Sequence, residues 1–176
     1  MHSMPFSIAN SEVTKAFQNI GNEWALLSVG DEKHFNAMTI SWGSLGFIWQ
    51  RPVITVLVRP PRYTHEFMDE FENFSVSFYD RSYRNALNIL GTQSGRDTDK
   101  IALSGLTPAF VDGVPTFKEA FLTVIARKIY RGQLESAGFL VPTVDEEFYP
   151  KKDYHTVYFA ELVKTVEKNQ VLVENH

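Results

Sequence analysis

The chain has 176 residues, of which 44% are hydrophobic and 14% aromatic, and its formal net charge is −4 at pH 7. This length and composition are typical of one globular domain and exclude an intrinsically disordered chain. Because cysteine is absent, disulfides, thiolate nucleophiles and cysteine-based metal or iron–sulfur centres are excluded, and any redox chemistry must come from a cofactor.

The first half of the chain alternates helical and strand patterns. Apolar residues recur at helical spacing over residues 10–20, and apolar runs at residues 24–29 and 35–41 flank a Gly-Asp turn that predicts a β-hairpin. A short strand is expected at residues 47–49. The continuously apolar, β-branched run at residues 53–58 predicts a strand that is buried on both faces.

The rest of the chain adds three helices and several strands. Thr64 is the expected N-cap of a helix that runs to Phe71, and Gly91 is expected to end a second helix over residues 82–90. Between them, residues 74–79 alternate as in a strand. The later elements are expected to be a short helix ending at Gly105, strands at residues 120–130 and 157–166, and a last short strand at residues 170–173.

Short strands dominate this pattern, and strands do not alternate regularly with crossover helices. We therefore predict a mainly β protein, an antiparallel barrel or curled sheet with peripheral short helices. Residues 135–153 are polar, contain proline and match no regular element. At that length inside a compact domain, we expect this segment to be a lid or an interface arm rather than a plain connection.

Several features narrow the range of partners. Charges of both signs are spread along the chain without the basic stripe that duplex nucleic acid requires. No apolar run reaches the ~20 residues of a membrane span, and the N-terminus lacks a signal-peptide pattern. We therefore expect a cytoplasmic protein that binds neither nucleic acid nor membrane. The scattered histidines predict no metal site, and the missing GxGxxG and Walker patterns leave a Rossmann site unsupported.

Residues 36–46 have the composition of a site for a planar ligand. Small hydroxyl residues end a predicted strand there, and a tryptophan and glycines follow. Exposed backbone amides beside a flat apolar ring can hydrogen-bond the edge of a planar heterocycle and pack against its face. The alternative is a strand that simply leads into a glycine turn.

Two further segments suit an anionic or polar ligand. Residues 59–65 place Arg59 and Arg62 on a proline turn before a helix N-terminus, where guanidinium groups, the Thr64 hydroxyl and free amides suit phosphate. Residues 91–100 combine hydroxyls, glycines and Lys100 in a loop that can cradle a polar ligand edge. The alternatives are a solvated arginine pair and a solvated loop. Taken together, the three segments favour a phosphate-bearing planar cofactor.

The same segments resemble the flavin reductase-like, FMN-binding split-barrel family of the flavoredoxin type. The resemblance extends in consistent order over about residues 20–167, and it is carried by residues 36–43, 49–52, 58–64, 74–78, 94–97, 99–100 and 153–156. It implies one domain over residues 1–176, folded as a six-stranded antiparallel split β-barrel. It also implies a homodimer with FMN in a groove near the dimer interface.

The resemblance also implies which residues bind FMN. Residues 38–42 would line the isoalloxazine ring, with Asn36 in the same patch, and Arg59, Arg62 and Thr64 would hold the phosphate. Ser94, Gly95 and Lys100 would reach the flavin or its ribityl chain. The implied set is therefore Asn36, Met38, Thr39, Ile40, Ser41, Trp42, Arg59, Arg62, Thr64, Ser94, Gly95 and Lys100. His155 is the candidate for a role in electron transfer, with a partly buried, backbone-bonded histidine as the alternative.

The implied activity is that of an FMN-dependent oxidoreductase. It would take electrons from NADH or NADPH and pass them through bound FMN to free flavin, a ferric complex or a redox partner. The alternatives are a flavoredoxin-like FMN electron carrier without its own NAD(P)H reductase activity, an oxidase of the pyridoxamine-phosphate type, and a protein without flavin whose arginines serve only structure. Two departures from the family stand out: the arm at residues 135–153, and Ala160-Glu161 in place of the usual Gly-Glu.

Overall fold

A computed structural model describes residues 19–168 of the chain. In chain order, the elements are β1 (Ala25–Gly30), β2 (Phe35–Ile40), β3 (Gly43–Ile48), β4 (Arg51–Val58), α1 (Tyr63–Glu70), β5 (Asn73–Phe78), a 3₁₀ turn (Arg81–Tyr83), α2 (Arg84–Thr92), α3 (Lys100–Ser104), β6 (Pro108–Val111), β7 (Val114–Phe117), β8 (Leu122–Gln133), a second 3₁₀ turn (Ser136–Gly138), α4 (Pro142–Phe148) and β9 (Thr156–Glu167). None of the helices within residues 19–168 has the length and apolarity needed to span a bilayer.

Seven of the strands form one antiparallel sheet in the order β2-β1-β5-β8-β9-β4-β3, and β6 and β7 form a separate hairpin. A single apolar cluster contains Ile40 from β2 and Ile54 from β4, five strands apart in that order. Such distant strands share a core only if the sheet curls on itself, as in a barrel. The mainly β split barrel is therefore confirmed, with seven strands in its main sheet instead of six.

Strand β1 shows how the fold positions the later site. All six of its residues are buried, because successive side chains point to opposite faces of the sheet and both faces are covered. Leu27 lies in the barrel core, whereas Leu26 packs with Leu87 and Leu90 of α2 in a second cluster outside the barrel. This second cluster fixes α2 on the sheet, and the C-terminal end of α2 leads into the loop at residues 93–99.

The structure corrects two of the predicted helix boundaries. Helix α1 begins at Tyr63, so Thr64 is not its N-cap; the Thr64 hydroxyl instead accepts a hydrogen bond from the Asn36 side chain. Helix α2 continues through Gly91 to Thr92, so Gly91 does not end it. The glycine has a packing role instead, since an added Cβ there would lie 3.1 Å from the Cβ of Thr39.

A strand lies at each of the positions predicted within the described residues, with ends that differ by up to a few residues. The hairpin is formed by β1 and β2, with Ala25 opposite Ile40, and the short strand expected at residues 47–49 is the six-residue β3. It connects to β4 through Trp49 and Gln50, whose φ angles of 53° and 58° are those of a tight hairpin turn. The β6–β7 hairpin was not predicted. Residues 19–21 are helical, while residues 10–18 and the strand predicted at 170–173 lie outside the described residues.

Candidate functional site

A cavity of about 220 Å³ opens where β2 and β4 end, and we call it the ring pocket. Its lining is formed by Met38, Thr39, Ile40, Ser41, Trp42, Leu57, Arg59 and His155. Because β2 ends at Ile40, the next two residues leave the sheet there. The Trp42 side chain is 40% exposed, which places a flat apolar surface beside hydroxyl and backbone groups.

The arm at residues 135–153 packs against residues that line the ring pocket. Phe148, the last residue of α4, contacts the Trp42 ring edge-to-face, with 5.3 Å between centroids. The His155 ring lies 5.1 Å from the same indole. Burial, and next the Arg59 charge, lower the pKa of His155 to about 4, so its imidazole is neutral at pH 7.

The Arg59 side chain points to the arm and does not meet the Arg62 side chain. Its Nη1 donates to Asp153 Oδ2 at 2.8 Å and its Nη2 donates to the Phe148 carbonyl at 2.7 Å, while the guanidinium lies 5.2 Å from the Tyr149 ring centroid. The hydrogen bond from Arg59 lowers the pKa of Asp153. The structure therefore does not bring together the two arginines that the sequence suggested would converge.

Arg62 and Lys100 lie at a second, smaller cavity of about 80 Å³, which we call the cation corner; Thr64 and Ser94 also line it. Arg62 Nη1 donates to the Gly91 carbonyl at 2.8 Å. Its Nη2 is buried and has no hydrogen-bond partner among the described residues. Lys100 is only 3% exposed, and its Nζ donates to the carbonyls of Leu90 and Gln93 at 3.2 and 3.3 Å.

The cation corner holds two positive charges without a protein anion. Within residues 19–168, the hydrogen bonds of Arg62 and Lys100 go to backbone carbonyls, and neither forms an ion pair. Burial, and next the Arg62 charge, lower the pKa of Lys100 to about 8; burial also lowers the pKa of Arg62. Buried charges normally require a partner, so the corner is suited to an anionic ligand.

Asn36 and Gly95 connect the cation corner to its surroundings. Asn36 Nδ2 donates to Thr64 Oγ1 at 2.9 Å, and an added Cβ at Gly95 would lie 2.7 Å from Asn36 Oδ1. Both residues and Lys100 line a neighbouring cavity of about 450 Å³. The ring pocket and the cation corner adjoin at Gly91, which packs on Thr39 and whose carbonyl accepts the Arg62 hydrogen bond.

A family model for the flavin reductase like domain matches residues 17–171 of this chain. The chain belongs to the flavin reductase-like domain family. A comparison with curated protein sequences finds no match.

Solved structures show the same fold as this flavin reductase-like domain. An FMN-binding protein from Thermus thermophilus with bound 1-cyclohex-2-enone is 19% identical, over 96% of this chain and 78% of that one, with a TM-score of 0.67. For the flavoredoxin of Desulfovibrio vulgaris (Miyazaki F), the identity is 24%, the coverage 82% and 68%, and the TM-score 0.63. The styrene monooxygenase flavin reductase from Pseudomonas putida S12 is 20% identical, over 82% of this chain and 79% of that one, with a TM-score of 0.58.

The structure divides the sequence-predicted site residues of this flavin reductase-like domain into two groups. Residues 38–42 meet Arg59 and His155 at the ring pocket. The remaining residues lie at or beside the cation corner, namely Asn36, Arg62, Thr64, Ser94, Gly95 and Lys100. Arg59 was expected to hold the phosphate, but it lies at the ring pocket and not at the cation corner.

Sequence reasoning expected residues 135–153 to be a lid or an interface arm, but it missed the side chains that this arm brings to the site. Phe148 and Tyr149 contact Trp42 and His155, although the segment reads as polar and irregular. The signal that was available is its aromatic content, because residues 139–154 include two phenylalanines and two tyrosines. The arm has a polar centre at Asp145, which accepts hydrogen bonds from Ser136, Lys152 and Tyr154.

Proposed function

We propose that this domain binds FMN and acts as an NAD(P)H-dependent flavin reductase, which passes electrons through FMN to free flavin, a ferric complex or a redox partner. The observation that carries the proposal is the cation corner beside the ring pocket. Two buried cations without an anion adjoin a cavity with an exposed indole. The family and the fold shared with an FMN-binding protein, a flavoredoxin and a flavin reductase support it.

The residues at the cation corner fit a phosphate group. Arg62 Nη2 has no hydrogen-bond partner among the described residues and can donate to a phosphate oxygen. The Lys100 ammonium supplies a second positive charge. The Thr64 oxygen accepts from Asn36, which leaves its O–H free to donate. The first-turn amides of α1 lie at the same corner and favour an anion. We infer that Arg62, Thr64, Ser94 and Lys100 hold the FMN phosphate.

The ring pocket fits the planar part of the same cofactor. Residues 38–42 present backbone and hydroxyl groups beside the Trp42 ring, and donors in a low-dielectric pocket stabilise negative charge that develops on a bound ring. When bound, FMN supplies the reversible redox chemistry that no side chain of this cysteine-free chain supplies. Asn36 and Gly95 fix the geometry next to the corner by their close contact.

Spectroscopy of purified protein tests the proposal. We expect yellow protein that releases about one FMN per chain on denaturation, and we expect Arg62→Ala to weaken FMN binding. Arg81→Ala is the matched control, since Arg81 forms an ion pair with Glu23 on an exposed surface. Protein that stays colourless and does not bind added FMN would refute the proposal.

The arm favours a second candidate function, an FMN electron carrier without reductase activity. Phe148 and His155 already flank Trp42 in the ring pocket, which restricts the space for a nicotinamide. Anaerobic mixing with NADH and with NADPH separates the two functions. Rapid bleaching of the flavin absorbance supports the reductase, and a flavin that bleaches only with dithionite supports the carrier.

We also propose that the protein is a homodimer that uses the exposed face of β3. Phe47 of β3 and Trp49 of the turn after it are 72% and 58% exposed, and β3 is one of the two edge strands of the sheet. The Trp49 ring lies 6.2 Å from Tyr130 and 5.9 Å from Phe159, so the apolar surface continues onto β8 and β9. Light scattering should give twice the chain mass for the wild type, whereas Phe47→Glu should give a monomer.

A further inference from the structure

A buried tyrosine–histidine pair links the arm to the ring pocket. The Tyr149 hydroxyl lies 2.7 Å from His155 Nδ1, and the two residues are 3% and 8% exposed. His155 lines the ring pocket and packs against Trp42. Within residues 19–168, its other ring nitrogen, Nε2, forms no hydrogen bond.

The surroundings determine where the imidazole proton lies. Burial, then Arg59, lower the pKa of His155 to about 4, and Asp153 opposes this shift only partly. The neutral imidazole therefore carries one proton. Burial raises the pKa of Tyr149, so the phenol keeps its proton, and within residues 19–168 the hydrogen-bond partner of this phenol is His155 Nδ1. If Nδ1 carried the imidazole proton, the buried phenol hydrogen would have no acceptor among these residues, so Nδ1 accepts from the phenol and the imidazole proton lies on Nε2.

We propose that Tyr149 is a positioning residue: it holds His155 in the tautomer that presents Nε2–H to the ring pocket, where this N–H donates to a carbonyl oxygen of the bound group. The inference rests on the proposed function. Two carbonyl sources share this chemistry, the flavin ring of FMN and the carboxamide of a nicotinamide. The N–H donor in both cases is His155 Nε2, and Tyr149 of the arm fixes the tautomer that carries this proton.

The arm is built to hold Tyr149 in place. The Tyr149 ring lies 4.9 Å from the Tyr154 ring and 5.5 Å from the Phe139 ring, and the Arg59 guanidinium lies over it. Its backbone N–H donates to the Asp145 carbonyl at the end of α4. A ring held on several sides keeps its hydroxyl aimed at one acceptor, which is what fixing a tautomer requires.

The first test needs no flavin. Nitrogen-15 NMR of the FMN-free protein distinguishes protonated from unprotonated imidazole nitrogens, and we expect protonated Nε2 and unprotonated Nδ1 for His155. In Tyr149→Phe, we expect the two signals to move toward the average of both tautomers. Protonated Nδ1 in the wild type, or no change of the two signals in Tyr149→Phe, would overturn the inference.

The second test compares variants in the FMN-loaded protein. Loss of one donated hydrogen bond should change the affected constant about threefold to tenfold in Tyr149→Phe. The matched control is Tyr154→Phe, which removes a phenol of the same arm that bonds to Asp145 and not to His155. His155→Gln keeps an N–H donor that does not depend on a tautomer, so Tyr149→Phe should have little further effect in that background.

The constant that moves identifies the carbonyl source. A change in the FMN dissociation constant or in the flavin reduction potential indicates the flavin carbonyl, and a change in the KM for NADH or NADPH alone indicates the carboxamide. If Tyr154→Phe has the same effect as Tyr149→Phe, the pair acts only through arm stability and the inference fails. Failure to bind FMN would contradict the proposed function and leave the NMR result standing on its own.

Discussion

Replacing Lys100 by methionine is expected to stabilise the FMN-free protein and to weaken its binding of FMN. In the folded protein, burial and the Arg62 charge lower the pKa of Lys100 from 10.5 to about 8. At about 1.36 kcal/mol per pKa unit, keeping this charge in the FMN-free fold costs about 3 kcal/mol. Methionine has a similar length and removes that cost.

The net gain is smaller than this cost, because the substitution also removes two hydrogen bonds. The carbonyls of Leu90 and Gln93 lose their donor, at about 1 kcal/mol each. The remaining gain of about 1 kcal/mol should raise the melting temperature by about 2–4 °C. The loss of a charged hydrogen bond to the phosphate, worth about 1.5–3 kcal/mol, should raise the FMN dissociation constant about 10- to 150-fold.

Circular dichroism melts of FMN-free protein and fluorescence titrations with FMN measure the two effects. The folded-state pKa of Lys100 lies below its unfolded-state value, so the cost is present at pH 7 and is lost as the pH rises from about 8 to 10.5. The advantage of Lys100→Met should therefore shrink and then reverse toward pH 10. Lys118→Met, at an exposed position, is the control. A variant that is less stable at pH 7 and binds FMN normally would refute the reasoning.

Three further predictions concern other parts of the site. Gly95→Ala should weaken FMN binding about threefold to tenfold, because the new Cβ displaces Asn36 from its hydrogen bond to Thr64; fluorescence titration measures this. Asp153→Asn should speed proteolytic cleavage of the arm, since it weakens the contact that Arg59 makes there. Between pH 7 and pH 5, the unfolding free energy should fall by about 2 kcal/mol through His155, whose folded-state pKa is lowered to about 4 so that only the unfolded chain gains a proton. Urea unfolding of the wild type and of His155→Gln checks the last value.

Each of these three predictions has a control and a contrary outcome. Gly21→Ala adds a methyl group where nothing lies within 4 Å and should leave FMN binding unchanged; equal loss in both variants would contradict the packing argument. Asp112→Asn alters an exposed ion pair with Lys164 and should not affect the arm. Cleavage of the Asp153→Asn arm at the wild-type rate would show that Arg59 does not hold it. A pH dependence unchanged in His155→Gln would show that His155 is not its source.

The positions of the strands and the candidate site were accessible from the sequence because they depend on local pattern. Continuous apolar, β-branched residues predict the buried β4, and a Gly-Asp turn between apolar runs predicts the β1–β2 hairpin, since backbone preference and burial act over a few residues. Arg62 and Thr64 could be placed together near a helix N-terminus for the same reason. The β6–β7 hairpin was missed because its strands are only four residues long and contain proline, which weakens a strand pattern.

The pairing of charges and donors was decided by the tertiary structure. Arg62 shares its corner with Lys100, 38 positions along the chain, and Arg59 is drawn away to Asp153 of the arm, 94 residues later. The tautomer of His155 likewise depends on a phenol that the arm delivers. Sequence alone determined which residue types were present, including the absence of cysteine, so that any redox chemistry must come from a cofactor. Closure of the sheet decided which of them meet, because desolvation and Coulomb energy depend on distances that local pattern does not specify.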